Sequence, residues 1–477
     1  MTHNDRGDQT KITTPASVSS AGVSGAFRQL RTALGDRASN SQIIREHHSH
    51  GESYHKPALP DIVCFPHTTE EVSVIINVAA EQGLPVIPFG AGTSLEGHVN
   101  AIHGGVTVCL REMNHILQIS REDLYGHVQA GVTQVQLNKT LENTGLTFFM
   151  DPGAECTIGG MAATGASGTT AVRYGTMREN VLGLTIVLAD GRIIRSGTKA
   201  RKSCAGYDLT RLFIGSEGTL GVITEAIVRL HPIPEAVSAA VCGFQTIRGA
   251  IETVIATMQM GVPIARVELL DEPQVDAINR YAKTNYTVAP TLFFEFHGDN
   301  TRHVAEQVEI VQALSEEHGG SQFVSATLPE EREKMWRARH NAYYAALALR
   351  PGSRAMITDV CVPISQLAEC IAFAKDDHAK APFPVTLVGH VGDGNFHMIY
   401  LLDPRNPAEL QTARVLSESM VNRALSLGGT CSGEHGIGLG KMRYLQTEHG
   451  DSLAVMRTIK QSLDPDNRLN PGKLIPS

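Results

Sequence analysis

The sequence has no CxxC pair, and its eight cysteines (Cys64, Cys109, Cys156, Cys204, Cys242, Cys361, Cys370, Cys431) are scattered along the chain. That spacing builds neither a zinc knuckle nor a disulfide framework, so the cysteines read as buried thiols in a reducing compartment. Long apolar runs are absent too: none approaches the roughly 20 residues that cross a bilayer. No run of lysine or arginine interrupts a net charge of −8, so the whole-chain field does not favour nucleic acid. Small anionic ligands would need local arginines. The first 25 residues are polar and lack an apolar segment, and they read as a loose tail rather than a secretory signal. A cytoplasmic protein is expected, with peripheral membrane attachment left open.

What is present is glycine, 45 residues of it, with 22 prolines and 42% hydrophobic residues, the composition of a compact chain rich in turns. A length of 477 exceeds the roughly 250–300 residues of one core, which predicts more than one domain. "RLHPIPEA", with Pro232 and Pro234, marks an exit from the first. The expected organisation is an extension over residues 1–50, domains over 51–235 and 236–425, and a C-terminal segment over 426–477.

Local patterns give an α+β fold class. "DIVCFP" and "LPVIPF" read as strands around a helix in "TTEEVSVIINVAAEQG", which has threonine caps and early glutamates. "GGVTVCL", "HILQIS" and "YGHVQAG" continue as strands, with a helix over Thr133 to Asn143. "VLGLTIVLADGRIIRSG" reads as a hairpin whose two-residue turn is Asp190-Gly191. Beyond residue 245 longer helices flank the strand "TLFFEFHG", predicting a sheet with helices on one face.

Three glycine-rich loops interrupt these elements. "PFGAGTSLEGH" follows a strand, where bare amides and hydroxyls could cradle a pyrophosphate; alone, it reads more readily as an ordinary glycine turn. "DPGAECTIGGMAATGASGTTAVRYGTMREN" has more bare backbone than structural turns require, and Thr157 is placed to cap a helix opening with Gly159 and Gly160. The third is "FIGSEGTLGVITEAIVRL".

In this order and spacing the three loops resemble the FAD-binding domain of the vanillyl-alcohol oxidase superfamily, the PCMH-type flavin fold. The resemblance implies two α+β subdomains around FAD over 51–235, and an antiparallel sheet covered by helices over 236–425. It places Pro88, Gly90, Ala91, Gly92, Thr93, Ser94, Thr157, Gly159 and Gly160 around the diphosphate. Pro152, Gly153, Tyr174, Gly175, Asn180, Gly221 and Ile223 are expected elsewhere along the cofactor. His98 sits near a loop that carries a covalent flavin link in some members; non-covalent FAD is expected here.

The octet "HVGDGNFH" at 390–397 lies between apolar runs. With Asp393-Gly394 as the centre of a type I′ turn, His390 and His397 become direct cross-strand partners about 5 Å apart, a separation that suits two ligands of one metal. Two histidines can also bracket a turn without binding anything. "GGTCSGEHGIGLGKMRYL" adds Glu434 beside His435, and two imidazoles with a carboxylate suit zinc or manganese.

"VGHVGDGNFH", "GEHGIGLGK", "ARHNAYYAALA", "TDVCVPIS" and "DPDNRLNPGK" resemble the FAD-dependent D-2-hydroxyacid dehydrogenases, most of all those passing electrons from D-lactate to cytochrome c. By that resemblance His390, His397 and Glu434 are ligands of one divalent metal, His435 of near-neutral pKa is the general base, and Arg339 clamps the substrate carboxylate. Asn470, with Lys473 near it, returns to the flavin. Family members that act on D-2-hydroxyglutarate have polar residues where this chain has Ile357, Ile399 and Tyr343, so D-lactate or another short D-2-hydroxyacid leads, ahead of D-2-hydroxyglutarate or glycolate. A cytochrome, quinone or electron-transfer flavoprotein is the expected acceptor, and a homodimer is allowed. An oxygen-using flavin oxidase, a metal-dependent hydrolase and a non-catalytic flavin relay are the alternatives; the hydrolase leaves the glycine loops unexplained, and the relay leaves the histidines so.

Overall fold

The computed structural model describes residue 12 and residues 18–476. The start of the expected tail lies outside them, but its last part is ordered: Ser19 accepts from the Gly22 N–H and caps a helix over Ser20–Leu34. Thr68 does the same for a helix over Thr69–Glu81, whose Val72, Ile75, Ile76 and Ala79 enter a core shared with the first sheet. In that sheet Ile62–Cys64, Val106–Cys109 and Val86–Phe89 run parallel, with Ala38–Ser39 antiparallel at the edge. The polar edge is clamped by Arg37, which donates to Glu71 Oε2 at 2.6 Å and Oε1 at 2.5 Å.

That clamp makes a testable contribution. The Arg37 guanidinium holds Glu71 down to about 2. Because the folded value lies below the unfolded one, the stabilisation is complete above about pH 4.5 and is lost as pH falls toward 2. Both side chains are about a quarter exposed, 28% and 25%, so solvent screening reduces it to about 1 kcal/mol. Glu71→Gln is expected to lower stability to urea by that amount at pH 7 and by much less at pH 3; an equal loss at both would remove the ion pair as its cause.

A second sheet is antiparallel, in the order Ile116–Ser120, Tyr125–Gln129, Val222–Arg229, Val181–Val187, Ile193–Gly197. Its Val128, Leu184, Ile186, Ala226 and Val228 pack with Ile158, Met161 and Ala162 of the helix Ile158–Thr164. The hairpin Val181–Val187 to Ile193–Gly197 departs from the predicted turn. Only Gly191 of the Asp-Gly pair has a positive φ, +79°, whereas a type I′ turn needs it at both central residues. Gly191 N–H donates to Leu188 O at 3.0 Å and Leu188 N–H to Arg192 O at 2.9 Å, which leaves a three-residue loop, Ala189 to Gly191.

After Val222–Arg229 the chain enters a third, eight-stranded antiparallel sheet. Its path runs Gly320–Ala326, Ala236–Phe244, Thr291–Gly298, Ile264–Leu270, Val385–His390, Asn395–Leu402, Arg354–Ile357, and Val360–Cys361 pairs with Asn395–Leu402. Helices cover both faces rather than the expected one. Phe294 and Phe296 pack on one side with Ile251, Val254, Ile371 and Met420, while Phe293, Leu270 and Ile399 pack on the other with Ile278, Trp336 and Ala346. The run "TLFFEFHG" shows why: successive phenylalanines point to opposite faces, and each face needs its own cover. Among the described residues no helix is long and apolar enough to cross a membrane.

Candidate active site

The strand Val86–Phe89 delivers Gly90 to Ser94 to one wall of a cleft, and Thr157 delivers the opposite wall by capping Ile158–Thr164, its Oγ1 accepting from the Gly160 N–H at 3.3 Å. The cleft is open to solvent. Pro88, Gly90, Ala91, Gly92, Thr93, Ser94, Pro152, Thr157, Gly159, Gly160, Gly221, Ile223 and Asn470 border it, together with Glu434 and His435. A Cβ on Gly90 would sit 2.5 Å from Thr157 Oγ1, so the two walls approach only because that residue is bare. Gly159 serves the packing instead, since its Cβ would meet Ala130 at 2.5 Å. Ser94 Oγ and His98 Nδ1 are buried in this wall without a protein partner, donor chemistry that fits a diphosphate-bearing cofactor.

Four of the expected cofactor residues do not border the cleft: Gly153, Tyr174, Gly175 and Asn180. Asn180 Nδ2 is spent on the carbonyls of Tyr174, Gly175 and Thr176, and its Oδ1 meets His231 Nε2 at 2.9 Å. The Tyr174 hydroxyl meets His297 Nδ1 at 2.7 Å and its ring stacks on Phe149 at 3.9 Å, so this segment ties the second sheet to the third.

The C-terminal segment closes the cleft. Asn470 N–H donates to Val86 O at 2.8 Å, and its side chain donates to Glu217 O at 2.7 Å and His98 O at 3.1 Å. Lys473, buried and pushed down to about 7 by that burial, donates to Asn470 Oδ1 at 2.6 Å. Glu217, with a positive φ of 54°, accepts the N–H groups of Ile437 and Gly438 at 2.6 and 2.8 Å, fixing the loop that follows His435.

The histidine hairpin has a different register from the one expected. His390 pairs with Asn395 and His397 with Val388. Gly394 has φ of +79° while Asp393 does not share it, and Asp393 N–H donates to His390 O at 3.1 Å, so the turn is again not type I′. The observed register differs from the predicted one by two residues, and a shift of two keeps every side chain on its face. The histidines are thus diagonal neighbours with ring centroids 5.4 Å apart.

Glu434 supplies the convergence. Its Oε1 lies 3.2 Å from His390 Nε2 and 3.1 Å from His397 Nε2, and the ligand atoms of the three residues all lie within 4.8 Å of one another. His397 Nδ1 is bonded to Thr358 O at 2.9 Å, leaving Nε2 directed at Glu434. Burial lowers His390, but Glu268 and then Glu434 outweigh it and hold the ring well above its ordinary value. His435 stacks on His397 at 4.8 Å with planes 10° apart, and its Nδ1 is buried without a partner. Burial pushes it down to about 4, below the near-neutral value expected from sequence, so the ring is neutral at pH 7.

Arg339 ends the helix Pro329–His340 and donates from Nε and Nη2 to Glu268 Oε2 at 3.1 and 2.5 Å. One edge of the guanidinium is therefore taken by protein. Glu268 and the hub Asp359 were not singled out from the sequence; the available signal was a charged residue in an apolar run, "ARVELLDEP" and "TDVCVP". Fully buried, Asp359 accepts from Asn395 Nδ2 at 2.8 Å, Ser432 Oγ at 2.7 Å, and the N–H groups of Glu434 and His435 at 3.1 and 3.0 Å.

A glycine-walled cleft ending at a histidine and carboxylate cluster fits the site of a flavin-dependent oxidoreductase. Residues 60–197 match the FAD binding domain family, and residues 233–474 match the C-terminal domain of FAD linked oxidases. The chain belongs to the FAD-linked oxidase family, alongside D-lactate dehydrogenases. It is 47% identical to the probable mitochondrial D-lactate dehydrogenase of Danio rerio, covering 96% of this chain and 93% of that one. It is also 47% identical to the mitochondrial D-lactate dehydrogenase (cytochrome) of Arabidopsis thaliana, over 94% of this chain and 79% of that one. The fold matches that of p-cresol methylhydroxylase with a TM-score of 0.79 at 20% identity, over 96% of this chain and 98% of that one. The PCMH-type α+β architecture expected from the glycine loops is thereby found.

Proposed function

We propose that the chain oxidises a D-2-hydroxyacid, D-lactate to pyruvate first, and passes the electrons to a cytochrome, a quinone or an electron-transfer flavoprotein. One observation carries this: the hydrogen-bonded chain Arg339, Glu268, His390, Glu434, which ends beside His435 on the wall of the FAD cleft. The names of the relatives support the substrate and the cytochrome. Ile357 and Ile399, paired across neighbouring strands on the face that carries His397, support an apolar lining that disfavours a second carboxylate.

In this reading Arg339 binds the substrate carboxylate with the N–H groups that Glu268 leaves unused. His435, which borders the cleft and whose ring makes no hydrogen bond within the fold, takes the hydroxyl proton. Bound FAD supplies the hydride acceptor, and a zinc or manganese ion held by His390, His397 and Glu434 supplies acidity toward the hydroxyl. The convergent ligand atoms fit such an ion.

Anaerobic mixing of the purified holoenzyme with D- or L-lactate tests the reading through the flavin absorbance. Bleaching by D-lactate alone is expected, abolished by a chelator and restored by zinc or manganese. A protein without FAD, or a flavin that no D-2-hydroxyacid reduces, would sink the proposal; bleaching that survives complete removal of metal would sink the metal alone.

A further inference from the structure

We propose that Glu268 is a positioning residue that couples substrate binding to metal binding, by holding Arg339 and His390 with the two oxygens of one carboxylate. The inference rests on the functional reading above and adds to it a residue outside the proposed ligand set. Glu268 stands on the strand Ile264–Leu270, whose register pairs Leu269 with Gly389 and so sets Glu268 beside His390 on the neighbouring strand. Its side chain is 1% exposed. Oε1 lies 2.7 Å from His390 Nδ1, while Oε2 accepts two bonds from Arg339 at 2.5 and 3.1 Å.

Each contact has a consequence at the far side of the group it holds. A proton on His390 Nδ1, kept there by Glu268, leaves Nε2 as the atom that faces Glu434 and His397. Engaging the Nε edge of Arg339 fixes the plane of the guanidinium and leaves the Nη1 edge for an incoming carboxylate. A carboxylate with two acceptor oxygens does both at once. A carboxamide cannot, because one of its two heads is a donor and would face either the arginine or the imidazole N–H.

The test uses the FAD-loaded enzyme carrying Glu268→Gln or Glu268→Asp. The aspartate variant keeps the buried charge balanced, so it folds even where the glutamine variant does not, but it is one methylene too short to reach both partners. Three quantities are read: FAD content, zinc affinity of metal-depleted protein against a competing chelator, and the D-lactate concentration that half-saturates flavin reduction. Both variants are expected to retain FAD, to lose zinc affinity about 10- to 100-fold, and to need at least about 10-fold more D-lactate. A Glu268→Asp protein with wild-type zinc affinity and wild-type half-saturation would overturn the proposal. A wild-type enzyme that binds no zinc and is not reduced by D-lactate would instead overturn the functional reading, which separates the two failures.

Discussion

Replacing His435 by alanine leaves FAD bound and slows flavin reduction by D-lactate at least about 100-fold. The expectation follows from what the imidazole does and does not touch. Its ring stacks on His397 and its Nδ1 has no protein partner, so no hydrogen bond of the fold runs through the side chain. The structural work at this position is done by the backbone, whose N–H donates to Asp359 Oδ2 at 3.0 Å and survives the substitution. The lost side chain leaves a small cavity, costing about 1–2 kcal/mol in a chain this large. Stopped-flow absorbance under anaerobic conditions reads the rate. Added imidazole, which fits the vacated space, is expected to restore part of it. FAD-replete alanine protein reduced at the wild-type rate would remove His435 as proton acceptor.

The parts of this site that could be read from sequence are those whose constraint is local. Thr157 announces a cap because a hydroxyl must meet a free N–H three residues on, and the glycines of the same loop announce close backbone approach. His390 and His397 share a face because the turn between them shifts the expected register by two residues, an even number that leaves each side chain on its side of the sheet. The turn itself was not legible: Asp-Gly has the same composition whether both residues have positive φ or only the glycine does, and the structure uses the second form at Gly191 and at Gly394.

Glu268 and Asp359 were hidden for a different reason. Glu268 meets Arg339 across 71 residues of sequence and His390 across 122, and nothing in a pentapeptide around it says which buried cation will balance it. Tyr174 and Asn180 show the same dependence on distant partners: their polar atoms are bonded to local carbonyls, His231 and His297, an arrangement that only the folded backbone reveals.

Asp359→Asn is expected to lower stability by about 3–5 kcal/mol and to slow flavin reduction, and the two losses have separable causes. Burial alone would raise the Asp359 carboxyl, but Lys441, then His435 and His397, outweigh it and hold it well below the usual carboxylate range. Lys441 Nζ, itself buried, lies 3.3 Å from Oδ2 and 2.9 Å from Asp359 O. An asparagine leaves that ammonium its bond to the backbone carbonyl but only Glu96, 3.7 Å away, as a balancing charge, which accounts for the loss of stability. It also turns an amide donor toward a group of donors, Ser432 Oγ, Glu434 N–H and His435 N–H, or else toward Asn395 Nδ2, so the ligand and base loop loses its anchor. The double variant Asp359→Asn, Lys441→Met removes the unbalanced cation while leaving the loop unanchored. Urea unfolding should therefore show recovery of much of the stability in the double variant, whereas the rate of flavin reduction stays low. If both properties return together, the carboxylate acts through charge balance alone and the loop is held by other contacts.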